Sequence, residues 1–180
     1  ILPVERFVKS FEEQSLRLAD SVFGQTVSGK WVYQSEVIDY VEEDLFMAPD
    51  LSTIRKIPWN KEPTAQIICD LNYPSNEPSK IAPRQVLKNI IKQLNNEDLQ
   101  AVVAPELEFY LCEQNLDPDL PLKTPIGKSG RRETGSRVFG IDAVNEFDKL
   151  TDDIYDYCEL MNIGVDTLVH ESGPSQIEIN

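Results

Sequence analysis

Apolar residues recur along this chain at helical spacing near its start, at strand spacing through its first third, and in alternation of the two beyond. Over Pro3–Asp20 (PVERFVKSFEEQSLRLAD), Val4, Phe7, Val8 and Phe11 fall at helical intervals and Pro3 suits a first turn, which predicts a core-facing amphipathic helix. From Ser21 to Asp70 the pattern changes to short β-rich runs, Lys30–Gln34, Asp44–Ala48, Thr53–Ile57 and Thr64–Cys69. They are broken by Gly24, Gly29, Pro49, Pro58 and Pro63. One helix with four short strands predicts a small α+β domain of the β-grasp kind over residues 1–78. Tyr73–Pro83 (YPSNEPSKIAP) collects prolines and turn formers, the composition of an interdomain linker.

Past that linker, from residue 79 to 180, helices alternate with strands. Val86, Leu87, Ile90, Ile91 and Leu94 form one stripe over Pro83–Asn95, a helix entered through proline. Gln100–Val103 leads into a strand, Ala104–Leu111. Asp117–Gly135 is a long loop rich in proline, glycine and charge. A single helix is expected over Asp142–Asn162, where Val144, Phe147, Leu150, Ile154, Tyr157, Cys158 and Met161 recur at helical intervals. Val165–Val169 then opens a closing strand pair. Turn material rather than tight hairpin signals separates these strands, so the expected architecture is a mixed or antiparallel sheet backed by helices.

The chemistry concentrates on two of the strands. In APELEFYL (Ala104–Leu111), Glu106 and Glu108 alternate with Leu107 and Phe109, and residues i and i+2 of a strand share a face. Two like charges side by side raise each other's pKa, and a hard divalent cation between them relieves the repulsion. A bare E-x-E also fits an edge strand showing its polar face to water. The far end of the chain repeats the pattern: in Ser175–Asn180 (SQIEIN), Gln176, Glu178 and Asn180 share one face and two isoleucines the other. Two such strands could build one site. His170 and Glu171 stand at the end of the preceding strand, and a lone histidine is more often structural than a ligand. Lys128–Arg132 (KSGRR) lacks the spacing of a phosphate-binding loop and reads as a solvated basic loop.

Composition narrows the partners. With 17 basic and 31 acidic residues in 180, the net charge is −14, which opposes binding to nucleic acid or to anionic membrane surfaces. No apolar run approaches a membrane span and no secretory signal opens the chain. Cys69, Cys112 and Cys158 are far apart and lie in apolar patterns, so they are expected to be buried, reduced thiols of a cytoplasmic protein. The chain opens on Ile1 and stops on Asn180 within a strand, so a piece of a longer protein is expected, with an open sheet edge near Glu178–Asn180 through which it would self-associate.

Four ordered blocks resemble the glutamine synthetase family: MAPDLSTIRKIPW (Met47–Trp59), APELEFYL, VNEFDKLTDDIYDYCELMNI (Val144–Ile163) and HESGPSQIEIN (His170–Asn180). The wording GRRETGSRVFGIDAVNEFD resembles the γ-glutamylpolyamine synthetase branch more than the ammonia-using enzymes. The resemblance implies an N-terminal β-grasp domain followed by the first part of the catalytic domain. It implies Glu106 as a ligand of the metal beside the transferred phosphate, Glu108 and Glu178 as ligands of a second metal, and Glu171 as a residue near the nucleotide; it assigns no catalytic acid or base. The implied cofactors are Mg2+ or Mn2+ and ATP. The implied reaction is an ATP-dependent carbon–nitrogen ligation, in which the glutamate γ-carboxylate takes the γ-phosphoryl group and an amine, polyamine or ammonia, displaces phosphate. Stacked rings of identical subunits are the implied assembly, and the piece alone is expected to be inactive. The ammonia-using enzymes carry an aspartate for ammonium that Gly29–Ser35 (GKWVYQS) lacks, which favours a larger amine. An ammonia-using glutamine synthetase and a non-catalytic member with an assembly role are the alternatives.

Overall fold

The structure, a computed structural model, describes residues 1–32 and 42–180. Part of the strand expected over Lys30–Gln34, and part of Gly29–Ser35, therefore lie outside the described residues. The described chain groups into two compact units, one of residues 1–55 and 65–102, the other of residues 56–64 and 103–180. Contacts thus divide at 102/103, whereas the sequence pattern places its boundary at 78/79.

In the first unit, α1 (Val4–Glu12) is shorter than the helix expected to Asp20. Gln14 takes φ +50°, the Ser15 N–H reaches back to the Ser10 carbonyl and the Gln14 N–H to that of Phe11, a Schellman closure that ends the helix. The apolar residues beyond it then serve β1 (Arg17–Ala19). β1 pairs with β2 (Asp44–Pro49), and β2 with β5 (Cys69–Asn72), in an antiparallel sheet of order β1-β2-β5. Leu45 and Leu71 of this sheet are buried with Ala82, and Leu18, Phe23, Met47 and Tyr73 pack around them. Residues 56–64 leave and return through a short hairpin, β3 (Arg55–Lys56) with β4 (Ala65–Gln66).

Tyr73–Pro83 is a folded turn rather than a free linker. The Tyr73 N–H donates to the Glu77 carbonyl and the Ser79 N–H to that of Leu71, while Ser79 is fully buried and Ala82 belongs to the core. Turn formers serve a packed turn as well as a hinge, and composition does not separate the two. α2 (Pro83–Asn96) follows with proline in its first turn. Its stripe of Val86, Leu87, Ile90 and Ile91 is exposed, and polar contacts tie the helix to the sheet. Arg84 reaches Asp50 at 2.6 Å and Asp70 at 2.9 Å, and Lys88 reaches Asp70 at 2.5 Å.

The second unit is built on an antiparallel sheet of order β6-β8-β7, with β6 Leu107–Tyr110, β7 Leu168–His170 and β8 Gln176–Ile179. β8 is the central strand, so the edge expected to be open at Glu178–Asn180 is covered on both sides, by β6 and by the hairpin partner β7. The helix expected over Asp142–Asn162 is two, α3 (Ile141–Asn145) and α4 (Asp148–Leu160). They break where the Glu146 carbonyl accepts the Lys128 N–H and its side chain the Ser129 N–H, which commits this residue to the neighbouring loop. Trp59 lies against Tyr157 of α4 with ring centroids 5.6 Å apart. The cysteines form no disulfide; Cys69 and Cys158 are half-buried, and Cys112, just past the end of β6, is exposed rather than buried as its apolar context implied.

Candidate functional site

Strand register decides which side chains of the second sheet meet. Glu108 stands directly opposite Glu178, Phe109 opposite Ile177, and Tyr110 opposite Gln176 on the β6–β8 ladder; Val169 and His170 of β7 stand opposite Glu178 and Ile177. Cross-strand partners share a face. One face therefore carries Glu108, Tyr110, Gln176, Glu178 and Val169, and the other carries Phe109, Ile177 and His170. The apolar residues lie behind the carboxylates, as the alternation in the sequence predicts, and His170 falls on the apolar side, where it is fully buried.

Glu108 and Glu178 are each held by a neighbouring amide. The Gln176 amide nitrogen donates to Glu108 Oε2 at 2.6 Å, while its oxygen accepts the Tyr110 hydroxyl at 3.0 Å and the Gly173 N–H at 2.7 Å. A Cβ at position 173 would come within 2.5 Å of the Tyr110 ring, so glycine is what lets that ring lie over the turn. The Asn180 amide donates to Glu178 Oε1 at 2.9 Å and also reaches Thr167 Oγ1 at 3.1 Å. That amide pulls the Glu178 pKa down, yet the partial burial of the carboxyl, a hydrogen bond with Glu171, and the charges of Glu171 and Glu106 outweigh it, and the net pKa lies above the ordinary carboxylate value. Glu171 and Glu106 thus both act on Glu178, which stands opposite Glu108 on the ladder. Glu171, which the resemblance assigns near the nucleotide, lies beside Glu178.

The donor set is oxygen throughout, carboxylates and amide carbonyls, which suits a hard divalent cation and not a soft one. Like charges gathered on one face repel one another. Among the described residues no three His, Cys, Asp or Glu side chains stand close enough to hold a metal ion as they are. The acids of this shelf are gathered along one face rather than closed into a cage.

Behind the shelf lies a second polar cluster that sequence reasoning missed. His170 Nε2 is 2.8 Å from Glu133 Oε2, and its Nδ1 is 2.8 Å from the Glu171 carbonyl oxygen. Both ring nitrogens face oxygens. The basic loop is largely neutralised nearby: Lys128 pairs with Asp148, Arg132 with Glu113 at 2.5 Å, and Arg137 with Asp142. A cavity of about 600 Å³ opens here, lined by Ser129, Arg131, Glu133, Arg137, Glu146 and Phe147 among others.

Comparison with known proteins follows the same lines. The family model "Glutamine synthetase, catalytic domain" matches residues 80–180, which span both carboxylate strands. The gamma-glutamylputrescine synthetase PuuA of Escherichia coli is 31% identical over 162 residues, covering 89% of this chain and 34% of that protein. A glutamine synthetase of Methanocaldococcus jannaschii is 29% identical over 160 residues, covering 85% and 33%. The chain spans about a third of the length of these relatives. A solved structure described as a novel glutamine synthase homolog superposes on 99% of the chain with a TM-score of 0.71 at 14% identity, a likeness of fold, covering 38% of that structure. No helix among the described residues is long and apolar enough to cross a membrane. With the family model covering more than half of its length and the sheet that carries its carboxylates, this chain belongs to the glutamine synthetase family.

Proposed function

We propose that this chain is the N-terminal part of an ATP-dependent glutamate–amine ligase and contributes one half of its divalent-cation site. The observation that carries the reading is the direct pairing of Glu108 with Glu178 across β6 and β8, with Glu106 and Glu171 bearing on the same carboxylate. Glu106, Glu108 and Glu178 would hold Mg2+ or Mn2+, which supplies charge neutralisation where one anionic group attacks another. Gln176 and Asn180 orient the carboxylates of Glu108 and Glu178, and Tyr110 and Gly173 fix Gln176 in turn. Residues 1–78 are read as a β-grasp domain presented to a neighbouring subunit, with the active site completed between protomers of a ring. Glutamate and an amine are the proposed substrates. A relative named for putrescine and the lack of an aspartate in Gly29–Ser35 favour an organic amine over ammonia.

The test has two readouts. Manganese titration of the chain should weaken about tenfold or more in Glu108→Ala and Glu178→Ala, whereas Glu159→Ala on the exposed side of α4 should match the parent. Unchanged titration in both shelf variants would sink the assignment. In the longer protein, glutamate-dependent ADP release should respond better to putrescine or another primary amine than to ammonium. Robust glutamine formation with no response to amines would refute the substrate.

A further inference from the structure

Glu133 is a buried carboxylate that the shelf does not use, with its side chain 9% exposed. Its Oε2 lies 2.8 Å from His170 Nε2, accepts the Ser175 backbone N–H at 2.5 Å and has the Ser175 hydroxyl at 3.4 Å. Its Oε1 is buried with no hydrogen-bond partner among the described residues. His170 and Ser175 are both fully buried and stand at the two ends of the β7–β8 connection. A single carboxylate oxygen therefore ties together the residue that ends one strand and the residue that precedes the next.

What lies between and beside those two ends is the shelf. Glu171 follows His170, and its N–H donates to the Gln176 carbonyl at 2.8 Å, while the Ser175 carbonyl accepts the Leu111 N–H at 2.9 Å. Gln176 follows Ser175 and holds Glu108 through its amide. Ser175 adopts φ +57°, a left-handed conformation that a serine keeps only when its surroundings hold it there. A buried carboxylate with one orphaned oxygen is costly, and an apolar side chain would avoid that cost. Holding groups from opposite ends of a tight connection on one oxygen is a task that offsets it.

We infer that Glu133 is a positioning residue for the cation shelf: through His170 and Ser175 it fixes the β7–β8 connection, and with it the directions of Glu171 and of the Gln176–Glu108 pair. It touches no ligand itself. The inference rests on the shelf's holding a divalent cation, as proposed above.

The experiment compares the parent chain with Glu133→Gln, Glu133→Asp and the surface control Glu159→Ala. Manganese affinity is read from the EPR signal of free Mn2+, and amide exchange is read residue by residue by NMR. Glu133→Gln should weaken manganese binding about ten- to a hundredfold and speed exchange at the Glu171 and Leu111 amides. Exchange within α4 and the β2–β5 ladder should stay at parental rates. Glu133→Asp, which keeps the charge but shortens the reach, should shift both readouts the same way by less. If Glu133→Gln loses protection throughout α4 it has not folded, and Glu133→Asp alone then decides. Parental exchange at Glu171 and Leu111 overturns the clamp. Faster exchange with undiminished manganese affinity overturns its link to the shelf. A parent chain that binds no manganese sinks the shelf reading and, with it, that link, while the exchange rates still judge the clamp.

Discussion

At the scale of single residues, the helices of this chain end on side chains that pay for left-handed backbone. α1, α2 and α4 each close with Schellman hydrogen bonds, and the residues at their turning points, Gln14, Asp98 and Asn162, have φ of +50°, +55° and +54°. Asparagine adopts this conformation at less cost than glutamine does. Gln14→Gly should therefore stabilise the chain by about 0.5–1 kcal/mol, while Asn162→Gly should fall close to zero. Urea denaturation of the two variants checks this, and the reverse order would count against it. The residue scale is also where the sequence was least legible. Nothing in RRETGSR sets Glu133 apart from the charges around it, because its role depends on His170 and Ser175, some 40 positions on, and a loop without period gives no hint of what it faces. Glu108 and Glu178 could be read because a strand's two-residue period states the face of each side chain in advance.

At the scale of elements, α2 shows how a helix can be foreseen and its attachment missed. Its apolar stripe predicts the helix, yet the structure leaves that stripe exposed and fastens the helix to β5 and to the turn after β2 through Arg84, Asp50, Asp70 and Lys88. Those partners are distant in sequence, and no local pattern announces them. The hydrogen bond from the Ser52 hydroxyl, then that from Arg84, hold the Asp50 pKa at about 2, well below the ordinary 3.8. Burial pushes Asp70 up, but its hydrogen bonds to Lys88 and Arg84 outweigh this and the net pKa is lowered. A carboxylate depressed in the folded state adds stability that is present above its unfolded pKa and lost as pH falls through the folded one. The thermal midpoint should thus fall as pH drops from about 4 towards 2, and Arg84→Gln should show a lower midpoint at neutral pH with a shallower fall in acid. Equal slopes for parent and variant would show that this network does not anchor the helix.

At the scale of the whole molecule, the most telling fact is how little apolar surface is covered. Leu107 and Tyr110 of β6 are 62% and 59% exposed, and β6 has one strand neighbour among the described residues. Such edges and stripes recruit other chains. The isolated chain should self-associate as its concentration rises, and Leu107→Lys together with Ile90→Lys should shift it towards monomer in sedimentation equilibrium. A clean monomer of the parent at high concentration would contradict this. The antiparallel pairing could be anticipated from alternating patterns, but not that β8 would be the centre of the sheet, since pairing between distant strands leaves no trace in either one. That central place also has a consequence in time. Glu108 meets Gln176 across 68 positions of chain, so at ribosomal rates of about 5–20 residues per second β6 waits roughly 3–14 seconds for its neighbour to be synthesised. Its acidic face and its greasy back have no β8 to cover them during that interval, so the carboxylate face cannot form until the last strand of the sheet has been made.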